Sequence, residues 1–248
     1  SVAGTDVRET PNAIKALIQD AKDKTISIVV EREEEELTFD VEVRNVPSSV
    51  KYELKENSIG YINIDIFSET LTNQVSNALK DLEEKGMKKL IIDLRDNSGG
   101  YLDSAETTAS LFLEKGKLIY SLEDKNKKED YYDETEEHRT YPIVILINEK
   151  SASSAEILAA ALKDSYGAVL VGEKSYGKGK VQQTIKLEDG SMAKYTSAKW
   201  LRPTGECIDN KGLTPDYAAS LTYETNENGE QTVIDSQLNK ALEVIRAM

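Results

Sequence analysis

Between residues 58 and 173 apolar β-runs alternate with amphipathic helical stretches joined by short turns, and few architectures satisfy such an alternation. "SIGYINIDIF" (58–67) reads as a strand. Residues 70–85 read as a helix with Val75, Leu79 and Leu82 on one face, closed by Gly86. "KKLIIDL" (88–94) is a buried strand, "RDNSGGY" a turn, and 103–113 a helix. The Tyr-rich acidic stretch 121–141 reads as a hairpin or loop. "PIVILI" (142–147), a helix over 153–164 and "AVLVGE" (168–173) complete the alternation. Two further strands, 180–187 and 192–201, are joined by a turn at Asp189-Gly190. The pattern predicts an α/β domain from about 50 to 220. Upstream, a helix over 11–23 and strands over 25–32 and 36–43 make a small α+β piece, with a junction at 45–49. Residues 235–248 read as an amphipathic terminal helix. The expected division is 1–44, 45–221 and 222–248.

Composition narrows the function classes. The chain of 248 residues carries 31 basic and 45 acidic side chains, a net charge of −14, with no segregated basic patch. Such a field repels nucleic acid. The acidic runs Glu33–Glu36 and Asp130–Glu137 read as solvated loops or strand edges. Cys207 is alone, which excludes an internal disulfide and a cysteine-based zinc site. His138 is also alone and sits in the acidic loop sequence "DETEEHRTY". A side-chain nucleophile in this chain therefore needs a base other than histidine. No apolar run approaches the roughly 18 residues of a membrane-spanning helix. The opening "SVAGTDVRE" has neither an initiator Met nor a signal peptide, and reads as though an upstream segment precedes it.

Four motifs compete to carry chemistry. "GEKSYGKGK" (172–180) reproduces the front of a phosphate-binding loop. Gly179 replaces the hydroxyl that would hold Mg²⁺, and a β-pattern follows where a helix must open. Ser48-Ser49-Val50-Lys51 matches S-x-x-K, but precedes a strand-like "YEL" and has no later K-T-G. In "NEKSASSAEILAAAL" (148–162) a strand runs into serines at the start of an apolar helix. Its N-terminal amides favour an oxyanion there, although Ser151, Ser153 and Ser154 could equally serve as caps. In "DLRDNSGGYLD" (93–103) Gly99-Gly100 can bring backbone amides close to a substrate, or form an ordinary strand-to-helix turn.

Taken in order, "IDLRDNSGGYL", "LINEKSASSAEILAAAL", "VGEKSYGKGKVQ" and "KGLTPD" resemble the carboxyl-terminal processing peptidases, the tail-specific serine proteases of peptidase family S41. The likeness spans roughly residues 55–220, and residues 1–44 look like the second half of the family's PDZ domain. The resemblance implies an α/β fold with a crotonase/Clp-protease-like core of mixed strands and helices, preceded by an incomplete α+β PDZ-like segment. It implies Ser153 as nucleophile, Lys178 as base and Gln182 as the residue that orients the lysine. The backbone of Gly99, Gly100 and Ser154 would form the oxyanion hole. Ser154 stands where the family often has Ala, a change expected not to matter to a backbone donor. A lysine acts as base only when neutral, and burial of Lys178 in an apolar site is the expected means of disfavouring its charged form. "LTPD" (213–216) is expected to be structural.

The resemblance further implies a serine endopeptidase that cleaves polypeptides near accessible C-termini, with no cofactor and no metal. It implies a bacterial cell envelope location outside the cytoplasm. A homo-oligomer and a membrane anchor in the absent upstream segment stay open. So does the alternative of a catalytically silent peptide-binding or regulatory relative. A crotonase-like acyl-transfer enzyme would need a coenzyme A pocket for which the sequence gives no sign.

Overall fold

The structure, a computed structural model, describes residues 1–21, 24–43, 48–225 and 231–248. Most of the expected junction at 45–49 lies outside them, as does the boundary at 44/45. The chain divides into two compact units, Ser1–Ser48 and Ser49–Met248.

In the first unit helix α1 (Ala13–Asp20) is followed by strands β1 (Thr25–Arg32) and β2 (Glu35–Glu42), which pair antiparallel. Glu33 and Glu34 both take positive φ, the geometry of a tight hairpin turn. That is where the first acidic run falls. A small core of Val2, Val7, Ala21 and Ile26 holds the unit together, with Ile14 and Leu17 of α1 packed against it.

The second unit is built on a six-stranded sheet. Its strands are β3 (Val50–Lys55), β4 (Ile59–Ile64), β5 (Lys89–Asp93), β8 (Ile143–Ile147), β9 (Val169–Gly172) and the short β12 (Tyr217–Ala218), in spatial order β12-β9-β8-β5-β4-β3. Only β3 runs antiparallel to its neighbour. Central parallel strands are covered on both faces, so they read as continuous apolar runs rather than alternating ones. Alternate residues serve two cores. Ile62, Ile64, Leu90, Ile92, Ile145 and Ile147 face the larger core, which helices α2 (Leu71–Glu84), α3 (Leu102–Ala109) and α4 (Ser154–Ala161) complete. Ile59, Ile91, Val144, Leu146 and Val171 face the other side, where α5 (Ser236–Ala247) lays down Ala241, Val244 and Ile245. The terminal helix is thus part of the compact unit that contains the sheet.

Local signals explain where elements stop. Leu71, Val75, Ala78, Leu79 and Leu82 make one buried stripe on α2. Gly86 then takes φ 88° while the amides of Gly86 and Met87 donate to the carbonyls of Glu83 and Leu82. That is a Schellman ending, for which a residue without Cβ is preferred. All eight residues of α4 are buried, so this helix has no solvent face.

A four-stranded antiparallel sheet stands beside the first within this unit, in order β10-β11-β6-β7. It comprises β6 (Leu118–Glu123), β7 (Lys128–Tyr132), β10 (Lys180–Lys186) and β11 (Met192–Leu201). The stretch read as a hairpin or loop is therefore a hairpin whose first strand joins this sheet. A last pair, β13 (Thr222–Thr225) and β14 (Gln231–Ile234), precedes α5. Among the described residues no helix is long and apolar enough to cross a membrane.

Candidate active site

The ends of β5 and β8 are stitched together, and the stitching sorts the three serines that sequence left equivalent. Ser151 is fully buried. Its hydroxyl donates to the Leu94 carbonyl at 2.7 Å and accepts from the Asn148 amide at 2.9 Å, so it is structural. Ser154 is also buried, and its hydroxyl donates to the Gly100 carbonyl at 3.1 Å. Ser153 alone is partly exposed. It holds φ 57° and ψ −119°, a conformation that costs a non-glycine residue about 1–3 kcal/mol and that gathers at functional sites. The turn from β8 into α4 thus presents one hydroxyl and hides two.

Glu156, one turn into α4, was not singled out in the sequence. Its carboxylate is fully buried. Oε2 accepts from the backbone amides of both Ser153 and Lys178, each at 2.9 Å. Oε1 accepts from the Gly177 amide at 2.7 Å and from the Ser175 hydroxyl. A single oxygen therefore holds the amides of the two residues expected to form the dyad. The spacing Ser153-x-x-Glu156 is a capping-box pattern, and a lone carboxylate in an otherwise apolar helix was the sequence signal available.

The Gly177-Lys178-Gly179 segment is held from three sides. Below it lies Glu156. On the other flank the indole of buried Trp200 donates to the Lys178 carbonyl at 2.8 Å, and the Trp200 amide donates to the Gly179 carbonyl at 2.9 Å. Both glycines are required by close packing. A Cβ on Gly177 would stand 2.7 Å from the Gly212 amide nitrogen, and one on Gly179 would stand 2.6 Å from that of Asp209. Leu213 and Asp216 of "LTPD" anchor this arrangement: the Leu213 amide donates to Ser175 Oγ, and Asp216 accepts from the Leu170 amide. The segment leads into strand β10 and not into a helix, which leaves no phosphate loop.

Two expectations need correction. Lys178 is exposed, not buried in an apolar site. Its main chain is fixed while its side chain reaches solvent, and among the described residues no hydrogen bond joins it to Ser153 or Gln182. Gln182 is exposed on β10, beside a bulge where Val181 opposes Ala198 and Gln182 opposes Thr196. The second correction concerns Gly99. Its amide donates to Asn97 Oδ1 at 2.8 Å, so it is not available to a substrate oxygen. Gly99 serves by closeness instead, since a Cβ there would stand 2.8 Å from Ser153 Cβ. The amides of Gly100 and Ser154 have no acceptor among the described residues.

The candidates that the sequence set aside also lie outside this site. His138 is exposed in a loop. Lys51 lies on β3 and pairs with Asp65, so the S-x-x-K match is incidental. Among the described residues no cluster of His, Cys, Asp or Glu is arranged to hold a metal.

Beneath the Asn97–Gly100 loop lies an ionic cluster. Arg95, mostly buried, grips both oxygens of buried Asp93 and both of Asp235, the N-cap of α5. Burial works to lower the Arg95 pKa, but the two carboxylates outweigh it and raise it. Burial likewise works to raise Asp235, while the hydrogen bonds from Arg95 and the Leu238 amide hold it below the usual carboxylate range. Tyr61 donates to Asp93 at 2.7 Å, and burial, then the Asp93 charge, push its hydroxyl well up.

The sequence model of peptidase family S41 matches residues 58–219, which hold every one of these groups except Asp235 and Leu238. The chain belongs to peptidase family S41. It is 38% identical to the carboxy-terminal processing protease CtpA of Bacillus subtilis (strain 168), over 98% of this chain and 54% of that relative. It is 36% identical to a probable CtpA-like serine protease of Staphylococcus aureus (strain COL), over 82% of this chain and 42% of that relative. The chain spans about half the length of the curated relatives it matches. Among solved structures it is similar in fold to the photosystem II D1 C-terminal processing protease, with a TM-score of 0.66 and 24% identity, over 89% of this chain and 62% of that one. The S41 core is thus the α/β unit described above.

Proposed function

We propose that this S41 chain is the catalytic part of a serine endopeptidase that cleaves polypeptides near accessible C-termini through Ser153 and Lys178. The observation that carries the reading is the Glu156 carboxylate, which holds the amides of both residues on one oxygen. Neutral Lys178 takes the Ser153 hydroxyl proton as Oγ attacks the scissile carbonyl carbon. The developing oxyanion is received by the amides of Gly100 and Ser154. The C–N bond then breaks, and the lysine ammonium returns its proton to the leaving amine. Water, deprotonated by the same amine, attacks the acyl-enzyme; the ester C–O bond breaks, the ammonium gives its proton to Ser153 Oγ, and the new carboxyl end is released. Because Lys178 is exposed, the polypeptide itself, seated over the site, excludes water from the reacting groups. Gln182 on β10 orients the amine once it turns inward. No cofactor is required.

Residues 1–44 are read as the C-terminal half of a PDZ-like domain, and the protein as one of the bacterial cell envelope, outside the cytoplasm. These readings, with an upstream anchor and self-association, follow the family resemblance. The specific observation behind a second reading, a silent peptide-binding relative, is the absence of a Ser153–Lys178 hydrogen bond among the described residues. One assay separates the two. The chain and its Ser153→Ala variant are incubated with an unstructured polypeptide ending in apolar residues, and products are followed by mass spectrometry. Cleavage is expected from the first and none from the second. Binding of the polypeptide without cleavage by either would establish the silent relative.

A further inference from the structure

The geometry points to Ser154 as a positioning residue for the oxyanion hole through its side chain, in addition to the amide it offers. This inference rests on the peptidase reading above. Gly100 pairs with Phe67 as an isolated parallel bridge. The Phe67 amide donates to the Gly99 carbonyl at 3.0 Å, and the Tyr101 amide donates to the Phe67 carbonyl at 2.8 Å. In that pattern the flanking residues make the bonds, and the N–H and C=O of Gly100 itself both point away from Phe67. The C=O is taken by the Ser154 hydroxyl at 3.1 Å. The N–H has no acceptor among the described residues. The side chain of Ser154 therefore clamps the one residue whose amide forms the hole together with its own.

The clamp matters because, among the described residues, the Ser154 hydroxyl makes the one hydrogen bond to Gly100 itself. It holds φ 148°, where side chains are rarely tolerated, and a Cβ would stand 2.1 Å from the Phe67 carbonyl oxygen. Only glycine fits, and glycine is the residue with the greatest backbone freedom. Asn97 restrains Gly99, and the Phe67 segment restrains Gly99 and Tyr101. The Ala152 amide ties Asn97 to the start of α4 at 2.9 Å, and the Ser154 hydroxyl ties Gly100 itself to it, so this second bond sets the spacing of the two donors.

The role separates from a structural one. Gly100 is exposed, so water can satisfy its carbonyl when the hydroxyl is removed, and stability should barely change. A misplaced donor, however, weakens the transition state and leaves substrate binding alone. Ser154→Ala is therefore expected to lower kcat about tenfold, with KM and Tm unchanged. A peptide aldehyde, whose adduct with Ser153 places an oxygen in the hole, should lose affinity by the same factor as kcat/KM. Ser154→Ala that matches the wild type in kcat overturns the inference alone. So does a loss of kcat accompanied by a fall in Tm or failure to fold, which would make the hydroxyl structural. Absence of Ser153-dependent cleavage in the wild type overturns the peptidase reading and this inference with it.

Discussion

The two segments that meet on Glu156 are built differently. On the nucleophile side, Asn148–Ala161, hydrogen bonds reach out to the end of β5, the Asn97–Gly100 loop and the base segment. Of the three serines there, Ser151 and Ser154 are buried, as is Glu156, and Ser153 is the one partly exposed. On the base side, the backbone of Gly177–Gly179 is as tightly held, but the side chains of Lys178 and Gln182 are exposed. The segment of the proposed nucleophile is fixed by this chain's own contacts. The proposed base is held at its main chain while its side chain is exposed. On the proposed mechanism, such a site has its attacking group in place and gains its proton acceptor when a polypeptide covers it.

The largest effect that tests this contrast is loss of either dyad member. Ser153→Ala and Lys178→Ala should each abolish turnover, by at least about a thousandfold. The double variant should be no worse than either single one, because residues acting as a unit are not additive. The Lys178→Ala protein should melt with the wild type, since an exposed side chain contributes within about 0.5 kcal/mol. A folded Lys178→Ala enzyme that still cleaves the polypeptide would remove the dyad from the mechanism.

Glu156→Gln comes next, and it strikes both sides together. The amide nitrogen that replaces one oxygen faces donors: either the amides of Ser153 and Lys178, or the amide of Gly177 and the hydroxyl of Ser175. A buried donor facing donors should cost about 2–3 kcal/mol of stability. A shift on the order of 1 Å between the two segments should lower kcat roughly a hundredfold. Urea melts and steady-state kinetics on the same preparation measure both. Wild-type kcat in a destabilised variant would show that the shared oxygen supports the fold without aligning the dyad.

Particular residues show what was legible in the sequence. β1 falls on the eight residues read as a strand, and α2 ends where Gly86 said it would, because both signals are local. Of β3 only "YEL" (52–54) reads as strand-like, and the sequence does not place it in the sheet. β3 is an edge strand with most side chains in solvent, so its pattern "VKYELK" carries little hydrophobic contrast. The family motifs put forward Ser153, Lys178 and Gly100 as candidates, since each motif is contiguous. What lay beyond reach was which partner each group takes. That Asn97 claims the Gly99 amide, that the Ser154 hydroxyl reaches Gly100 and that Lys178 is uncovered are facts of tertiary placement. Glu156 was within reach through its capping-box spacing. Its second partner, Lys178, lies 22 residues away in sequence and was not.

Gln182→Ala sharpens the base side alone. The side chain is exposed, so stability should be unchanged, and kcat should fall about tenfold if the amide orients the lysine amine. An unchanged kcat would leave the lysine to be oriented by the substrate.

The smallest effect concerns the support under the nucleophile side. Asp235 caps α5 and pairs with Arg95, two residues before Asn97. Its carboxyl is held below the usual range in the folded chain, whereas in the unfolded chain it titrates near about 3.9. Above about pH 5 both states carry the charge, and stability does not depend on this group. As pH falls through about 4, the unfolded chain takes up the proton first, so folding loses the advantage of the pair, and the loss is complete below the folded value. Asp235 is two-fifths exposed, which screens the pair and limits its worth to about 1 kcal/mol or less. Asp235→Asn should therefore melt slightly below the wild type at pH 6, and the gap should narrow as pH falls below about 4. A gap that stays constant with pH would assign the loss to helix capping rather than to the ion pair. In that case the loop carrying Asn97 would rest on Asp93 and Arg95, without help from the terminal helix.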